Sequence, residues 1–192
     1  MVYHGIRVEP LKQDINMRIG FCGTVSVGKT TLVNALKELP EFKQYNFATE
    51  RSKYLRDLGI PLNTDSTLKG QSIFLAERCS ELINSKLITD RTIIDVIAFT
   101  NASTCINDEE KKQFEKYASL FIPEYDWIFY VSPIGVDIED NNVRTTNSEY
   151  RDKIDKEISN LCHKYIKNIK HFGVLWGSNQ HRIEQIRSYI NF

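Results

Sequence analysis

The chain has 192 residues, of which 41% are hydrophobic and 26% are charged. This length is typical of a single domain with room for a small mobile insertion, and the composition excludes an intrinsically disordered chain. The charges of the 25 basic and 25 acidic residues cancel, so the formal net charge is zero. The protein therefore lacks the global positive field that would hold a nucleic-acid backbone, although a local basic patch remains compatible with this balance.

Membrane insertion and cysteine chemistry are both disfavoured by the sequence. No apolar run approaches the ~18 residues of a membrane span, and the first ten residues, MVYHGIRVEP, lack the apolar core of a signal peptide. Cys22, Cys79, Cys105 and Cys162 form no CxxC pair, so the spacing indicates neither a zinc knuckle nor a disulfide framework. We expect a protein of the reducing cytoplasm with no membrane partner.

Predicted strands and helices alternate along the chain. In chain order they are a strand at 17–22, a helix at 31–39, a strand at 45–49, helices at 50–58 and 65–85, a strand at 86–90, helices at 95–102 and 108–121, a strand at 126–131, a loop or lid at 132–147, a helix at 148–170, a strand at 172–176, and a last helix through residues 183–190. Asp65 or Ser66 is the expected cap of the helix at 65–85. The pattern predicts an α/β protein with a mostly parallel five-stranded sheet covered by helices on both faces.

The most specific motif is the segment GTVSVGKT at residues 23–30, which matches G-x-x-x-x-G-K-[ST] at every fixed position. A predicted strand precedes it and a predicted helix follows it, as a phosphate-binding loop requires. Gly23 and Gly28 permit backbone angles that turn successive amides toward one point, beside the positive end of the helix. The nucleoside triphosphate site is predicted to consist of Gly23, Thr24, Val25, Ser26, Val27, Gly28, Lys29, Thr30 and Thr31.

Two side chains of this loop and one strand-end carboxylate have expected roles in phosphoryl transfer. Lys29 would reach the terminal phosphates, and the hydroxyl of Thr30 would ligate Mg²⁺. The segment LITDR places Asp90 at the end of an apolar strand. Asp90 would hold Mg²⁺ through water or accept a proton from a hydroxyl nucleophile, and Arg91 would grip a substrate phosphate or hydroxyl. The alternative for Asp90 is a simple cap of the segment that follows the strand.

Other classes of phosphate-binding-loop protein lose support because their motifs are missing. The sequence contains no N-K-x-D guanine motif, no D-x-x-G after the loop and no L-S-G-G-Q signature, and it is short for a full AAA+ module with its helical lid domain. A small phosphotransferase or a small ATPase remains. The choice between ATP and GTP as donor stays open.

Four segments carry a family resemblance, namely GTVSVGKTTL, TERSKYLRDLG, LITDRTIIDVIAF and NNVRTTNSEYRDKID. They resemble the P-loop nucleoside and nucleotide kinases, and most closely the nicotinamide-riboside-kinase-like family of AAA-type ATPases and kinases of bacteria and phages. The resemblance runs from about residue 20 to residue 186. It implies a three-layer P-loop fold with strand order 2-3-1-4-5, a single domain over residues 1–192 with a small lid at about 132–147, and ATP and Mg²⁺ as cofactors.

The resemblance also implies the residues of an acceptor site. Glu50 and Arg51 match the acid and the arginine that such kinases keep beside the acceptor, and Gln71 matches a helix position that contacts the acceptor base. Arg91 and Asp95 complete this predicted set. Whether Glu50 or Asp90 acts as the base stays open, and Gln71 has the alternative of an ordinary amide satisfied by the backbone.

Residues near the lid and the nucleotide base follow from the same resemblance. Arg144 matches the lid arginine, which neutralises charge on the transferred phosphoryl group, and Arg151 lies two helical turns further on, on the same side. Gly177 belongs to a loop that lies against the nucleotide base in the family, and Arg182 is expected to stack on adenine. Solvated surface charge is the alternative for Arg144 and Arg151, and a plain helix start for the loop at Gly177.

These features favour an ATP- and Mg²⁺-dependent kinase that transfers a phosphoryl group to a nucleoside, a nucleotide or a related small molecule. Two alternatives stay open. One is a kinase that acts on a hydroxymethylated base in DNA, which the zero net charge disfavours. The other is an ATP-binding regulatory or interaction module that transfers nothing to a small molecule. The sequence leaves the acceptor and a homodimer undecided.

Overall fold

The computed structural model describes residues 16–49, 51–134 and 148–191. The strands are β1 (Arg18–Cys22), β2 (Asn46–Ala48), β3 (Leu87–Thr89), β4 (Trp127–Val131) and β5 (His171–Leu175). The helices are α1 (Lys29–Lys37), α2 (Ser52–Asp57), α3 (Leu68–Glu81), α4 (Ile93–Ala102), α5 (Asp108–Ala118), α6 (Ser148–Lys164) and α7 (Asn179–Ile190). Short 3₁₀ turns lie at Pro40–Phe42, Asn63–Asp65 and Ser119–Glu124.

The five strands form one sheet in the order β2-β3-β1-β4-β5, and all four pairings are parallel. This confirms the predicted fold class and strand order. β1 lies at the centre, between β3 and β4, so the segments that follow these three strands meet at the carboxyl edge of the sheet. Open α/β sheets bind their ligands at that edge.

Alternation along the strands sends side chains to two separate apolar cores. In β1, Ile19 and Phe21 pack on one face with α1 and α7, whereas Cys22 packs on the other face with α3, α4, α5 and α6. In β4, Ile128 and Phe129 divide between the faces in the same way. The sheet is therefore the middle layer of three, and α4 is buried among α3, α5 and α6.

The start of α3 differs from the prediction. We expected Asp65 or Ser66 to cap this helix, but Asp65 lies in a 3₁₀ turn and Ser66 has extended backbone. The cap is Thr67, whose hydroxyl oxygen accepts a hydrogen bond from the amide of Gly70 at 3.2 Å. The Ser66 hydroxyl donates to the carbonyl of Asn63 at 2.7 Å instead. A local turn thus competes with the helix for the same short polar side chains.

Several predicted helices are too long at their carboxyl ends. The predicted helix at 65–85 ends at Glu81, and the one at 148–170 ends at Lys164. The predicted helix at 108–121 changes at Ala118 into a 3₁₀ turn that contains Pro123. In the described ranges, no helix combines the length and the apolar character that crossing a membrane requires.

Candidate active site

The phosphate-binding loop connects β1 to α1 and has a conformation that its glycines permit. Gly28 has φ +81°, in the left-handed region that glycine adopts without steric cost, and it directly precedes α1. A Cβ at Gly23 would lie 2.7 Å from the carbonyl oxygen of Val131, so only glycine lets β1 approach the end of β4 so closely. No side chain caps the first turn of α1 within the described residues. Helix starts of this kind are suited to bind anions.

The loop is supported from behind by buried side chains. Val25 and Val27 are almost fully buried, and Val27 belongs to the core that α1 and α7 form on the sheet. The Thr24 hydroxyl donates to the carbonyl of Arg151 in α6 at 2.8 Å. The backbone of the loop is therefore anchored on both sides before any ligand is present, and a preformed site loses less entropy on binding.

Lys29 reaches across the loop that precedes it. Its side chain is 4% exposed, and its ammonium group donates to the carbonyls of Gly23 at 2.5 Å and Thr24 at 2.7 Å. The positive charge thus lies at the mouth of the loop, where the tail of a bound triphosphate would come.

The first residues of α1 meet the end of β3. The Thr30 hydroxyl donates to Oδ2 of Asp90 at 2.5 Å, and the amide of Asp90 donates to the carbonyl of Ala48 at the end of β2. Asp90 is buried, whereas Thr30 is partly exposed. The structure therefore brings together Thr30 and Asp90, the two residues predicted from the sequence to bind Mg²⁺. Thr31, the last predicted member of the loop, is exposed on α1.

Asp95 has a different environment from the one expected of an acceptor-site residue. It is 0% exposed and lies in the first turn of α4. Its Oδ2 accepts hydrogen bonds from the amide and the hydroxyl of Thr92, at 2.8 and 2.9 Å, and its Oδ1 accepts from the amide of Gly23 at 3.2 Å. Arg91 lies 3.5 Å from the same Oδ1. The carboxylate thus contacts both the phosphate-binding loop and Arg91 rather than the solvent-facing cleft.

Arg182 also lies elsewhere than expected. We predicted that it would stack on adenine, but its side chain is 3% exposed and packs beneath the phosphate-binding loop. Its guanidinium donates to the carbonyl of Val27 at 2.7 Å and to that of Ser132 at 3.4 Å. Burial lowers the pKa of Arg182 from its ordinary value. A stacking surface for a base requires exposure that this side chain does not have.

The remaining predicted acceptor-site residues lie around α2 and α3. Gln71 is buried on α3. Arg51 is exposed, pairs with Glu77 at 3.3 Å and stacks its guanidinium 4.5 Å from the ring centroid of Tyr54. Arg51 therefore offers a positive charge at the surface beside the buried face of α3.

Other predicted residues are peripheral or undescribed. Gly177 is exposed and precedes α7, whose cap is Ser178, with an oxygen that accepts from the amide of His181 at 3.3 Å. Arg151 faces the phosphate-binding loop through its carbonyl group, as described above. Glu50 and Arg144, and residues 135–147 of the predicted lid, lie outside the described residues.

A buried ion pair beside β3 was missed by the sequence analysis. Arg78 is 2% exposed and pairs with Glu81 at 2.5 Å, and the Thr89 hydroxyl donates to the Glu81 carboxylate at 3.0 Å. Thr89 directly precedes Asp90, so the pair supports the strand end that carries the candidate metal ligand. The available signal was the position of Arg78, three residues after the buried Leu75 on the inward face of α3.

Glu81 gives the fold a pH dependence that a single variant tests. Burial raises the pKa of Glu81 to about 7, despite the opposing effects of the Arg78 guanidinium and the Thr89 hydroxyl. The folded state then holds a proton that the unfolded chain, with a pKa of about 4.3, releases earlier. This contribution to stability is therefore present below about pH 4 and is lost as the pH rises through 7.

We expect the free energy of unfolding of the parent to fall relative to that of Glu81→Gln by about 2 kcal/mol between pH 5 and pH 8. Urea unfolding at several pH values measures the difference between the two slopes. Parallel pH profiles for the two proteins would contradict the assignment.

The model of a family described as an AAA domain matches residues 18–182, most of the chain. No curated protein matches significantly.

Solved structures with the same fold include a deoxyadenosine kinase, a thymidylate kinase and the NadR protein. Deoxyadenosine kinase from M. mycoides with bound dCTP superposes with a TM-score of 0.60 at 17% identity, covering 91% of this chain and 99% of that chain. Thymidylate kinase from Candida albicans gives a TM-score of 0.65 at 14% identity, covering 92% of this chain and 91% of that chain. NadR protein in complex with NR gives 0.71 at 16% identity, but the 93% of this chain that aligns spans only 52% of NadR.

At these identities the superpositions establish the fold, and the family model establishes the relationship. The chain is a member of the AAA-domain family, whose model matches residues 18–182.

Proposed function

We propose that the protein is an ATP- and Mg²⁺-dependent kinase that transfers a phosphoryl group to a nucleoside, a nucleotide or a related small molecule. The observation that carries the proposal is the 2.5 Å contact between the hydroxyl of Thr30, at the start of α1, and the carboxylate of Asp90, at the end of β3. It brings a hydroxyl and a carboxylate to the base of a phosphate-binding loop. The kinases named among the structural neighbours support the same assignment.

The donor side would be formed by the loop, Lys29, Thr30 and Asp90. Thr30 and Asp90 fit Mg²⁺ because this ion prefers oxygen ligands, takes few of them from protein and completes its shell with water and phosphate. When bound, Mg²⁺ neutralises charge on the phosphates. Lys29 adds a positive charge at the mouth of the loop, where its ammonium would exchange backbone carbonyls for phosphate oxygens.

The acceptor would enter at the carboxyl edge of the sheet, beside α2 and α3. Arg51 offers a surface charge there, and Gln71 offers an amide on the buried face of α3. Glu50 or Asp90 would orient the acceptor hydroxyl or take its proton, and Arg91 would hold its oxygens. If the acceptor atom is a phosphate oxygen, no base is needed.

The lid and the cellular setting complete the proposal. Residues 132–147 would close over the bound substrates as part of a single domain of 192 residues, with Arg144 delivered to the transferred phosphoryl group. Closure would exclude water and thereby protect the donor from hydrolysis. We place this reaction in the cytoplasm.

Product analysis tests the proposed reaction directly. The full chain is incubated with MgATP and a panel of nucleosides, nucleoside monophosphates and DNA that contains hydroxymethylated bases, and the products are identified by mass spectrometry. We expect one class of small molecule to gain a phosphoryl group. Phosphorylation of the DNA alone would favour the DNA-base alternative, and bound ATP without any phosphorylated acceptor would favour the regulatory module. Either result contradicts the proposal.

Arg144→Ala separates a kinase from a nucleotide-binding module. Loss of a positive charge that acts mainly on the transition state should lower kcat about 100-fold while leaving the Kd for MgATP nearly unchanged. Arg56→Ala, which removes a partly exposed arginine that pairs with the neighbouring Asp57, is the matched control. An Arg144→Ala protein with the turnover of the parent would contradict the lid assignment.

A further inference from the structure

We infer that Asp95 is a positioning residue that couples the phosphate-binding loop to Arg91. The inference rests on the proposed function, and it concerns how the two halves of that site keep their relative geometry. Three observations carry it: the burial of the carboxylate, the contacts of each of its oxygens, and a comparison with a second helix start in the same protein.

The two carboxylate oxygens of Asp95 have different partners. Oδ2 accepts from the amide and the hydroxyl of Thr92 and so closes the first turn of α4. Oδ1 accepts from the amide of Gly23, the first residue of the phosphate-binding loop, and is 3.5 Å from Arg91. Gly23 and Asp95 are 72 residues apart in the chain. One buried carboxylate thus spans β1, α4 and the turn after β3.

The start of α5 shows what a capping acid does without this second task. Asn107 and Glu110 form the same reciprocal pair at α5 that Thr92 and Asp95 form at α4. In the α5 pair Asn107 is exposed and Glu110 is partly exposed, and Glu110 accepts only from the Asn107 amide among the bonds found in the described residues. Capping a helix therefore does not require a fully buried carboxylate. Burying a carboxylate costs free energy unless its oxygens accept hydrogen bonds. The added partners of Asp95 are the loop and Arg91.

A charge effect and a positioning effect of Asp95 predict opposite changes in nucleotide affinity. A negative charge beside the loop repels a bound triphosphate, so its removal should tighten nucleotide binding if charge alone decides. If Asp95 acts by holding the Gly23 amide and Arg91 in place, its removal should weaken binding instead. In Asp95→Asn an amide NH₂ group would face either the Gly23 amide or the Thr92 amide, and a donor cannot accept their hydrogen bonds.

The test compares Asp95→Asn with the capping control Glu110→Gln. We expect Asp95→Asn to raise the Kd for MgATP about tenfold and to lower kcat further. Glu110→Gln should change neither, because the amide oxygen of glutamine still accepts from the Asn107 amide and the site is far from the phosphate-binding loop. Arg91→Lys and the double variant complete a cycle, in which the effects on kcat should be clearly less than multiplicative. Equal or tighter nucleotide binding by Asp95→Asn overturns the inference, as do multiplicative effects in the cycle.

A measurement on the parent remains informative if Asp95→Asn does not fold. Amide hydrogen exchange by NMR should show the Gly23 amide protected as strongly as the buried amides of α4, because its acceptor is a buried carboxylate. Rapid exchange at Gly23 would overturn the inference. A parent that binds MgATP but phosphorylates no acceptor would instead contradict the proposed function, while the binding and exchange measurements still decide the role of Asp95.

Discussion

Lys29→Met is expected to lower kcat/KM by about 1,000-fold or more. The ammonium group of Lys29 lies at the mouth of the phosphate-binding loop, on the carbonyls of Gly23 and Thr24. Methionine keeps most of the buried volume but brings no charge to the phosphates. Steady-state kinetics with the acceptor found in the product panel measures the loss, and nucleotide titration shows how much of it is ground-state binding.

Lys37→Met is the matched control because Lys37 lies on the same helix, α1, with an exposed side chain. Lys37→Met should retain the turnover of the parent within about twofold, because it is a surface substitution outside the phosphate-binding loop. Turnover that is unchanged in Lys29→Met would contradict both candidate activities, the small-molecule kinase and the kinase that acts on a DNA base.

Asp90→Asn is expected to reduce kcat about 1,000-fold at saturating acceptor and to raise the Mg²⁺ concentration needed for half-maximal rate. An amide oxygen can still accept from Thr30, so the local structure survives, but it carries no charge to attract a divalent cation. Kinetics at a series of Mg²⁺ concentrations measures both changes. A variant that matches the parent at every Mg²⁺ concentration would contradict the assignment of Asp90 and return it to the role of a cap.

The sheet supplies a control for this substitution at its opposite edge. Asp126 precedes β4, where its carboxylate accepts from the amide of Arg18 at 2.8 Å and pairs with Lys170 at 2.9 Å. Asp126→Asn therefore removes a carboxylate of similar structural importance at the amino edge, away from the phosphate-binding loop. We expect it to cost stability and to leave the Mg²⁺ dependence unchanged.

The parts of the site that were predictable from sequence are those with local signals. The phosphate-binding loop has fixed spacings within eight residues, and Asp90 follows an apolar strand directly. Parallel topology then requires β1 and β3 to end at the same edge, which is why Thr30 and Asp90 meet although 60 residues separate them. The strand order follows from the resemblance that the same loop carries, and the structure confirms it.

The contacts that were not predicted depend on residues far apart in the chain. Arg182 and Val27 are 155 positions apart, and only the docking of α7 beside α1 brings the guanidinium under the loop. Periodicity placed Arg182 near a helix start but carried no information on what that start would contact. Asp95 was assigned to the acceptor, whereas its partner Gly23 lies 72 positions away in the phosphate-binding loop.

Helix ends and the buried charges of α3 were the other failures. The cap of α3 is Thr67 because a preceding turn engages Ser66, a competition between local hydrogen bonds that propensities do not rank. Arg78 received no assignment from the sequence; in the structure its guanidinium donates to the Thr89 hydroxyl of β3 and pairs with Glu81. The competition at Ser66 is local but involves partners of similar strength, whereas the partner of Arg78, Thr89, lies on another element of the fold.

We propose that the backbone of residues 23–30, with Lys29 beside it, binds the tail of a nucleoside triphosphate. Isothermal titration of the full chain with ATP and with GTP, each with Mg²⁺, tests it most directly, with Lys29→Met titrated in parallel. We expect one bound nucleotide per chain for the parent and a much weaker affinity for the variant. A folded parent that shows no heat and no affinity for either nucleotide would contradict it.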